Sequence, residues 1–306
     1  MTTEAEGDPV RICVVADDFG LHPFIDEAIL ELAGSHALQA IGCLVGGRSW
    51  LTAARSLRVI NRTQLDRGLH FDLTERPLTT VPQALPGLIA RAMLRLIDPL
   101  WVRNEVRAQL NAFEAELGHG PDFVDGHQHV HQLPGVREAI VDELDDRYPA
   151  SRRPWLRSTL PAIQAPGLRG LSARHGRKAW VVAALGGRAA TALARRRGYA
   201  TNSGFVGVYG FDRDTESYRS LLGRWLAEAR DGSLLMCHPA LDRVPGDAIA
   251  PARTAEYAVL SDGSLASMLD QAGLVASPMT AIIRRPDMSP MPGHAGTVQA
   301  GSAQIR

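Results

Sequence analysis

Four side chains able to bind metals and move protons fall at every second position of the stretch DGHQHVH: Asp125, His127, His129 and His131. Carboxylate and imidazole form a borderline donor set that suits zinc, and equally magnesium, manganese, iron, cobalt or nickel with waters in the open positions. Where three protein groups hold such an ion, the open position takes a water whose pKa drops toward ~7, which is a hydrolase design. The same residue types recur in ADDFG as Asp17 and Asp18, in GLHFD as His70 and Asp72, and in LLMCHP as His238. Neighbouring aspartates on an extended strand face opposite ways, so at a turn one can ligate a metal while the other accepts the proton of a water. Taken singly, each has an ordinary structural explanation. An aspartate after a strand caps or turns, and His22, His36, His119, His175 and His294 are left as core or surface histidines.

The elements that must position these residues follow a simple alternation. RICVVA, residues 11–16, is a short apolar run ending in a polar turn, as a buried parallel strand does. A helix starts at Pro23, places Phe24, Ile25, Ala28, Ile29 and Leu32 on one face and stops at Gly34. Strands are predicted over 39–45 and 67–71, with a helix near 50–60 between them. Residues 83–118 read as two helices split near Asp98 and Pro99. FVDGHQHV is read as a strand, followed by a helix after Pro134, the short strand WLRS, a helix from Thr215 to Ala229, the strand SLLMCH, a helix near 264–272 and LVASPMTAII as the last strand. Such alternation predicts an α/β fold, a single-domain (β/α) barrel, whose parallel strands deliver the aspartates and histidines to one rim.

With 306 residues, 45% hydrophobic and 22% charged, the chain has the composition of a folded globular protein. Cys13, Cys43 and Cys237 are odd in number and sit in apolar runs, which suits reduced thiols in the cytoplasm. The acidic N-terminus lacks an apolar signal core, and no run is long enough to span a membrane. Residues 1–9 are expected to be flexible and the Pro-, Gly- and Ser-rich residues 285–306 disordered, leaving 10–284 as the domain. Twelve basic residues and no acidic one occur from Arg147 to Arg197. With Trp155, Trp180 and Arg195 to Arg197, the segment 150–200 reads either as a lid facing an anionic or membrane-associated substrate or as a solvated basic helix pair. No fold for nucleic acid accompanies these charges, so none is expected as a partner.

VVADDFGLHPFIDEAI, GLHFDLTERPL, PDFVDGHQHVHQLP and LLMCHP, in that order, resemble the YdjC-type carbohydrate deacetylases. The resemblance spans roughly Val10 to Ile283 and is weak in the middle third. It implies a distorted barrel holding one divalent metal, Mg2+ or Zn2+, and N-deacetylation of an N-acetylated amino sugar, N-acetylglucosamine-type in an oligosaccharide; the basic segment 150–200 adds a lipid- or phosphate-linked glycan as a candidate. Position by position it implies Asp17 as general base, Asp18, His70 and His127 as metal ligands, and His238 near the leaving group. Asp125, His129 and His131, with Phe19 and Glu75, are assigned to the walls of the sugar pocket or to the support of the ligands. Two departures stand out: Gly126 replaces the usual serine or asparagine after the motif aspartate, and Arg76 replaces the usual glycine after Glu75. A metal-dependent phosphoesterase or other hydrolase on the same ligands, and a non-catalytic sugar-binding protein, are the rival readings. A homodimer and peripheral contact with the inner face of the membrane complete the expectations.

Overall fold

The computed structural model describes residues 8–162 and 182–283. The central sheet has eight strands, β1 (Val10–Phe19), β2 (Ala40–Cys43), β3 (Asp66–Phe71), β4 (Phe123–Gly126), β5 (Trp155–Leu156), β6 (Gly204–Val206), β7 (Ser233–Cys237) and β8 (Leu274–Ala276). They run in the order β5-β4-β3-β2-β1-β7-β6, every pair parallel, with β8 beside the first residues of β1. The two edges then meet through isolated bridges, Leu156 with Thr201 and Pro161 with Phe205. The sheet therefore curls into a barrel closed by bridges rather than by a full ladder, a distorted (β/α) barrel as the alternation predicts.

The helices are α1 (Pro23–Gly34), α2 (Trp50–Arg58), α3 (Leu85–Met93), α4 (Pro99–Leu117), α5 (Val136–Arg147), α6 (Arg188–Arg196), α7 (Thr215–Glu228), α8 (Ala250–Ser261), α9 (Ser264–Gln271) and α10 (Met279–Ile283). They cover the barrel and bury its outer face; Ile25, Ile29 and Leu32 of α1 are in that layer. The predicted split at Asp98 holds because its side chain caps α4, accepting from the N–H of Leu100 at 2.9 Å. Among the described residues no helix is long and apolar enough to cross a membrane.

Three strand expectations are corrected. The strand FVDGHQHV ends at Gly126, and His127–Gln132 form a 3-10 turn in which Gln128 and His129 have φ of 51° and 59°. Of WLRS only Trp155–Leu156 is strand, and LVASPMTAII divides into β8 and α10. α8 went unread, because Pro245, Gly246 and Pro251 break up the sequence signal around its start.

Side chains of alternate residues fill the barrel. Cys13 and Val15 of β1, Ala40 of β2, Phe123 of β4, Trp155 of β5, Phe205 of β6, and Leu234 and Met236 of β7 form one buried cluster inside it. Trp155 stacks on Phe123 at 4.5 Å and donates to Asp66 from its indole N–H. It is core, so it takes no part in a lid. Arg197 likewise pairs with Asp142 and Asp145 on α5. Trp180, the rest of the proposed lid between 163 and 181, and residues 1–7 and 285–306 of the expected terminal tails lie outside the described residues.

Candidate active site

The interior series turns polar one layer further along the strands. Two residues beyond Val15 comes Asp17, two beyond Gly68 comes His70, two beyond Phe123 comes Asp125, two beyond Trp155 comes Arg157, and two beyond Met236 comes His238. Glycine makes room for them. A Cβ on Gly42 would lie 3.0 Å from Asp17 Oδ1 and 3.3 Å from His70 Nδ1. Asp18 breaks the alternation: the β1–β2 register shifts between Ala16 and Phe19, and Asp18 has φ 71°. This bulge turns a side chain that a regular strand would aim outward into the same site, as bulges at barrel rims do.

Asp18 stands between two imidazoles. Its Oδ1 lies 2.9 Å from His127 Nδ1 and 3.4 Å from His70 Nε2, while its Oδ2 accepts from Arg253 at 2.7 Å. Asp125 takes the other nitrogen of His70 at 2.8 Å, fixing which nitrogen faces Asp18. Arg157 forks onto Asp17 at 2.6 and 2.7 Å and also pairs with Asp125. Glu75 Oε1 reaches to 3.1 Å from His127 Nε2, off line for a hydrogen bond, so that buried nitrogen has no hydrogen-bond partner. Asp72 only builds the loop: its carboxylate accepts from the backbone of Thr74, Glu75 and Arg76.

Burial opposes charge in this layer, and pairing overrides it at Asp18, Asp125, His70 and His127 but not at His129, His131, His238 or Glu256. Burial raises the Asp125 carboxyl, yet Arg157 and His70 outweigh it and hold it at about 2. Against burial, Arg253 and then His127 hold Asp18 well below the usual carboxylate range. Against burial, Asp125 and Asp17 push His70 up to about 10, and Asp18 raises His127 well above the ordinary value. Burial prevails at His238 and His131, each lowered to about 4, and at His129, lowered well below the usual histidine. Glu256, buried beneath His238 and accepting from its backbone N–H and from the Tyr209 hydroxyl, is raised to about 7 by burial.

Ligand atoms of Asp18, His70 and His127 lie within 4.8 Å of one another, as do those of Asp17, His70 and Asp125. Arginine charge reaches both groups, Arg253 on Asp18 Oδ2 and Arg157 on both carboxylates of the second, but the first keeps Asp18 Oδ1, which faces the two imidazoles and no arginine. Two imidazoles and one carboxylate oxygen, with a buried imidazole nitrogen lacking a hydrogen-bond partner, match the donor set of a divalent metal.

The site opens into a cleft of about 640 Å³, within the usual range for small-molecule sites. Asp17, Asp18, His70, His127, His129, His238 and Glu75 all face it. Three expected pocket residues do not. Phe19 is fully buried in the apolar core, and Asp125 is sealed behind His70. His131 turns back across Gly126 to within 3.3 Å of the Arg157 carbonyl, because the left-handed turn at 128 and 129 reverses the chain. Gly126 lets the turn close tightly: an added Cβ would lie 2.9 Å from the His131 backbone nitrogen, so the backbone would have to shift to accept one. Arg157, Arg253, Asp247 and Glu256 were missed by sequence reasoning. The parity of β5 signals Arg157, while α8 had to be recognised before Arg253 and Glu256 could be placed.

A barrel whose innermost polar layer opens on the C-terminal rim, with carboxylates, imidazoles and arginines converging there, has the layout of a barrel enzyme. The chain belongs to the YdjC-like protein family, which matches residues 11–271. It is 32% identical over 262 residues to the carbohydrate deacetylase of Mus musculus, covering 77% of this chain and 80% of that protein. It is 25% identical over 279 residues to the chitooligosaccharide deacetylase of Klebsiella pneumoniae, covering 86% and 96%. A solved structure described as a candidate cellobiose-phosphate cleavage protein of Enterococcus faecalis superposes with TM-score 0.64 at 17% identity, over 90% of this chain and 99% of the other, a likeness of fold alone.

Proposed function

We propose that this protein is a metal-dependent carbohydrate N-deacetylase that hydrolyses the acetamide of an N-acetylglucosamine-type sugar, in an oligosaccharide or a lipid-linked glycan, to acetate and a free amine. The observation that carries the reading is the convergence of Asp18, His70 and His127 beside the Arg157-clamped Asp17 at the floor of the cleft. Relatives named carbohydrate deacetylase and chitooligosaccharide deacetylase support it. The chain is accordingly a hydrolase of amide bonds.

Asp18, His70 and His127 would hold the metal, Mg2+ or Zn2+, which would supply Lewis acidity toward the acetyl carbonyl and the attacking water. Asp17, held in one orientation by two hydrogen bonds from Arg157, accepts a proton from the attacking water. Oxygen adds to the carbonyl carbon, the C–N bond breaks, and the proton held by Asp17 returns to the departing nitrogen. His238 faces that nitrogen as a neutral imidazole, since burial holds it at about 4, and it guides the proton across. Asp125 keeps His70 oriented, and Glu75 and His129 line the sugar side of the cleft. Three buried free cysteines suit a cytoplasmic setting.

Acetate release from a panel of N-acetylglucosamine oligosaccharides and lipid-linked acetylamino sugars tests the reading. Activity should vanish with a chelator and return with Mg2+ or Zn2+. Phosphate release from phosphate esters without acetate release from any amide would overturn it.

A further inference from the structure

The connection from β3 to α4 has a surface unlike the rest of the molecule. Nine large apolar side chains are well exposed among the described residues, and six of them, Leu78, Val81, Met93, Leu94, Leu96 and Leu100, lie between residues 78 and 100. Val81, Leu94, Leu96 and Leu100 are 66–71% exposed. α3 does not lack a core face of its own, since Leu88 and Ala92 are buried beneath it. Of the six exposed residues only Met93 belongs to α3; Leu78 and Val81 precede it, Leu94 and Leu96 follow it, and Leu100 is in the first turn of α4. Large apolar side chains exposed at this density within one connection mark an interaction site.

Charge selects the partner. From Arg76 to Ile97 there are three arginines and no carboxylate. Arg91 and Arg95 are exposed, and Arg91 lies 5.5 Å from the centroid of the Trp101 ring. Neither arginine has an ion-pair partner among the described residues. In a twofold contact with a second copy, Arg91 and Arg95 of each copy would meet only Asp98 as an acid from residues 76–100, which leaves positive charge in excess. Exposed leucines flanked by unpaired arginines and an aromatic ring instead have the composition of an element that lies on an anionic bilayer. The position agrees: Arg76 and Leu85 of the same connection line the cleft, so the connection that displays the apolar residues also borders the cleft.

We propose that the β3–α4 connection seats the protein on an anionic lipid surface beside the mouth of its cleft. This surface acts whatever bond the site hydrolyses. Co-sedimentation of the full chain with vesicles tests it, using phosphatidylcholine alone and an equal mixture of phosphatidylcholine and phosphatidylglycerol. The protein should sediment with the mixed vesicles and much less with phosphatidylcholine. The triple variant Leu94→Ser, Leu96→Ser, Leu100→Ser should weaken binding about tenfold or more, with an unchanged thermal midpoint. Arg91→Gln with Arg95→Gln should lessen the preference for phosphatidylglycerol. If the triple variant fails to fold, the single Val81→Ser variant should still bind more weakly than the parent. The proposal is overturned if the parent ignores the mixed vesicles, binds both kinds equally, or is matched by the folded variants. A dimer that the triple variant dissociates, without vesicle binding by the parent, would assign the surface to a second copy instead.

Discussion

Arg157 divides its guanidinium between Asp17 and Asp125, so removing it strands two buried carboxylates without their counter-charge. Arg157→Met should cost about 3–5 kcal/mol of stability, read from denaturant midpoints. Arg157→Lys keeps a charge but cannot fork, so it should retain metal and lose turnover. Asp125 pushes His70 up to about 10 and Asp18 raises His127 above its ordinary value. A metal taking these residues as ligands would compete with protons, so affinity should rise steadily from pH 6 to pH 8 with proton release, measured by calorimetry in two buffers. Affinity independent of pH would show that other groups hold the ion. The histidines and aspartates of this site are legible in the sequence because each ends a recognisable strand. Arg157 is not, because in an arginine-rich segment nothing but the two-residue step from Trp155 distinguishes it.

At the scale of elements, parity decides what faces the site. The sequence pattern places the strands well enough to assign the rim, but not the bulge that brings Asp18 beside Asp17, nor the left-handed turn that separates His127 from His131. Both are departures from regular backbone that leave no periodic signal in side-chain hydropathy. α8 is obscured in the same way by its prolines, and with it Arg253, which braces Asp18. Gly68 shows how tightly β3 and β4 are matched: an added Cβ would lie 2.3–2.4 Å from the Phe123 ring. Gly68→Ala should therefore destabilise by about 1–3 kcal/mol. It should also weaken metal binding, because His70 follows two residues later on the same strand. An unchanged thermal midpoint would mean that the interior is less closely packed at this layer.

For the whole molecule, the other end of the barrel from the site carries a buried carboxyl, Asp66, with no part in the chemistry. Asp66 accepts from Trp155 and from the backbone and hydroxyl of Thr280, tying β3 to β5 and α10. Burial raises it to about 6. A carboxyl raised on folding contributes stability that is complete below its unfolded value near ~4 and is lost as pH rises through about 6. The thermal midpoint should consequently decline between pH 4.5 and pH 7, and Asp66→Asn should flatten that decline by an amount on the order of 2 kcal/mol. An identical slope in the variant would assign the decline to Asp26 or Glu256, which burial also raises.

The division of labour between neighbouring aspartates is the centre of the account, and acetate release per bound metal measures it directly in Asp17→Asn and Asp18→Ala. The predicted result is that Asp17→Asn binds metal as the parent does and turns over ~10²–10⁴-fold more slowly, whereas Asp18→Ala loses metal and turnover together. Near-parental acetate release from metal-loaded Asp17→Asn would contradict it.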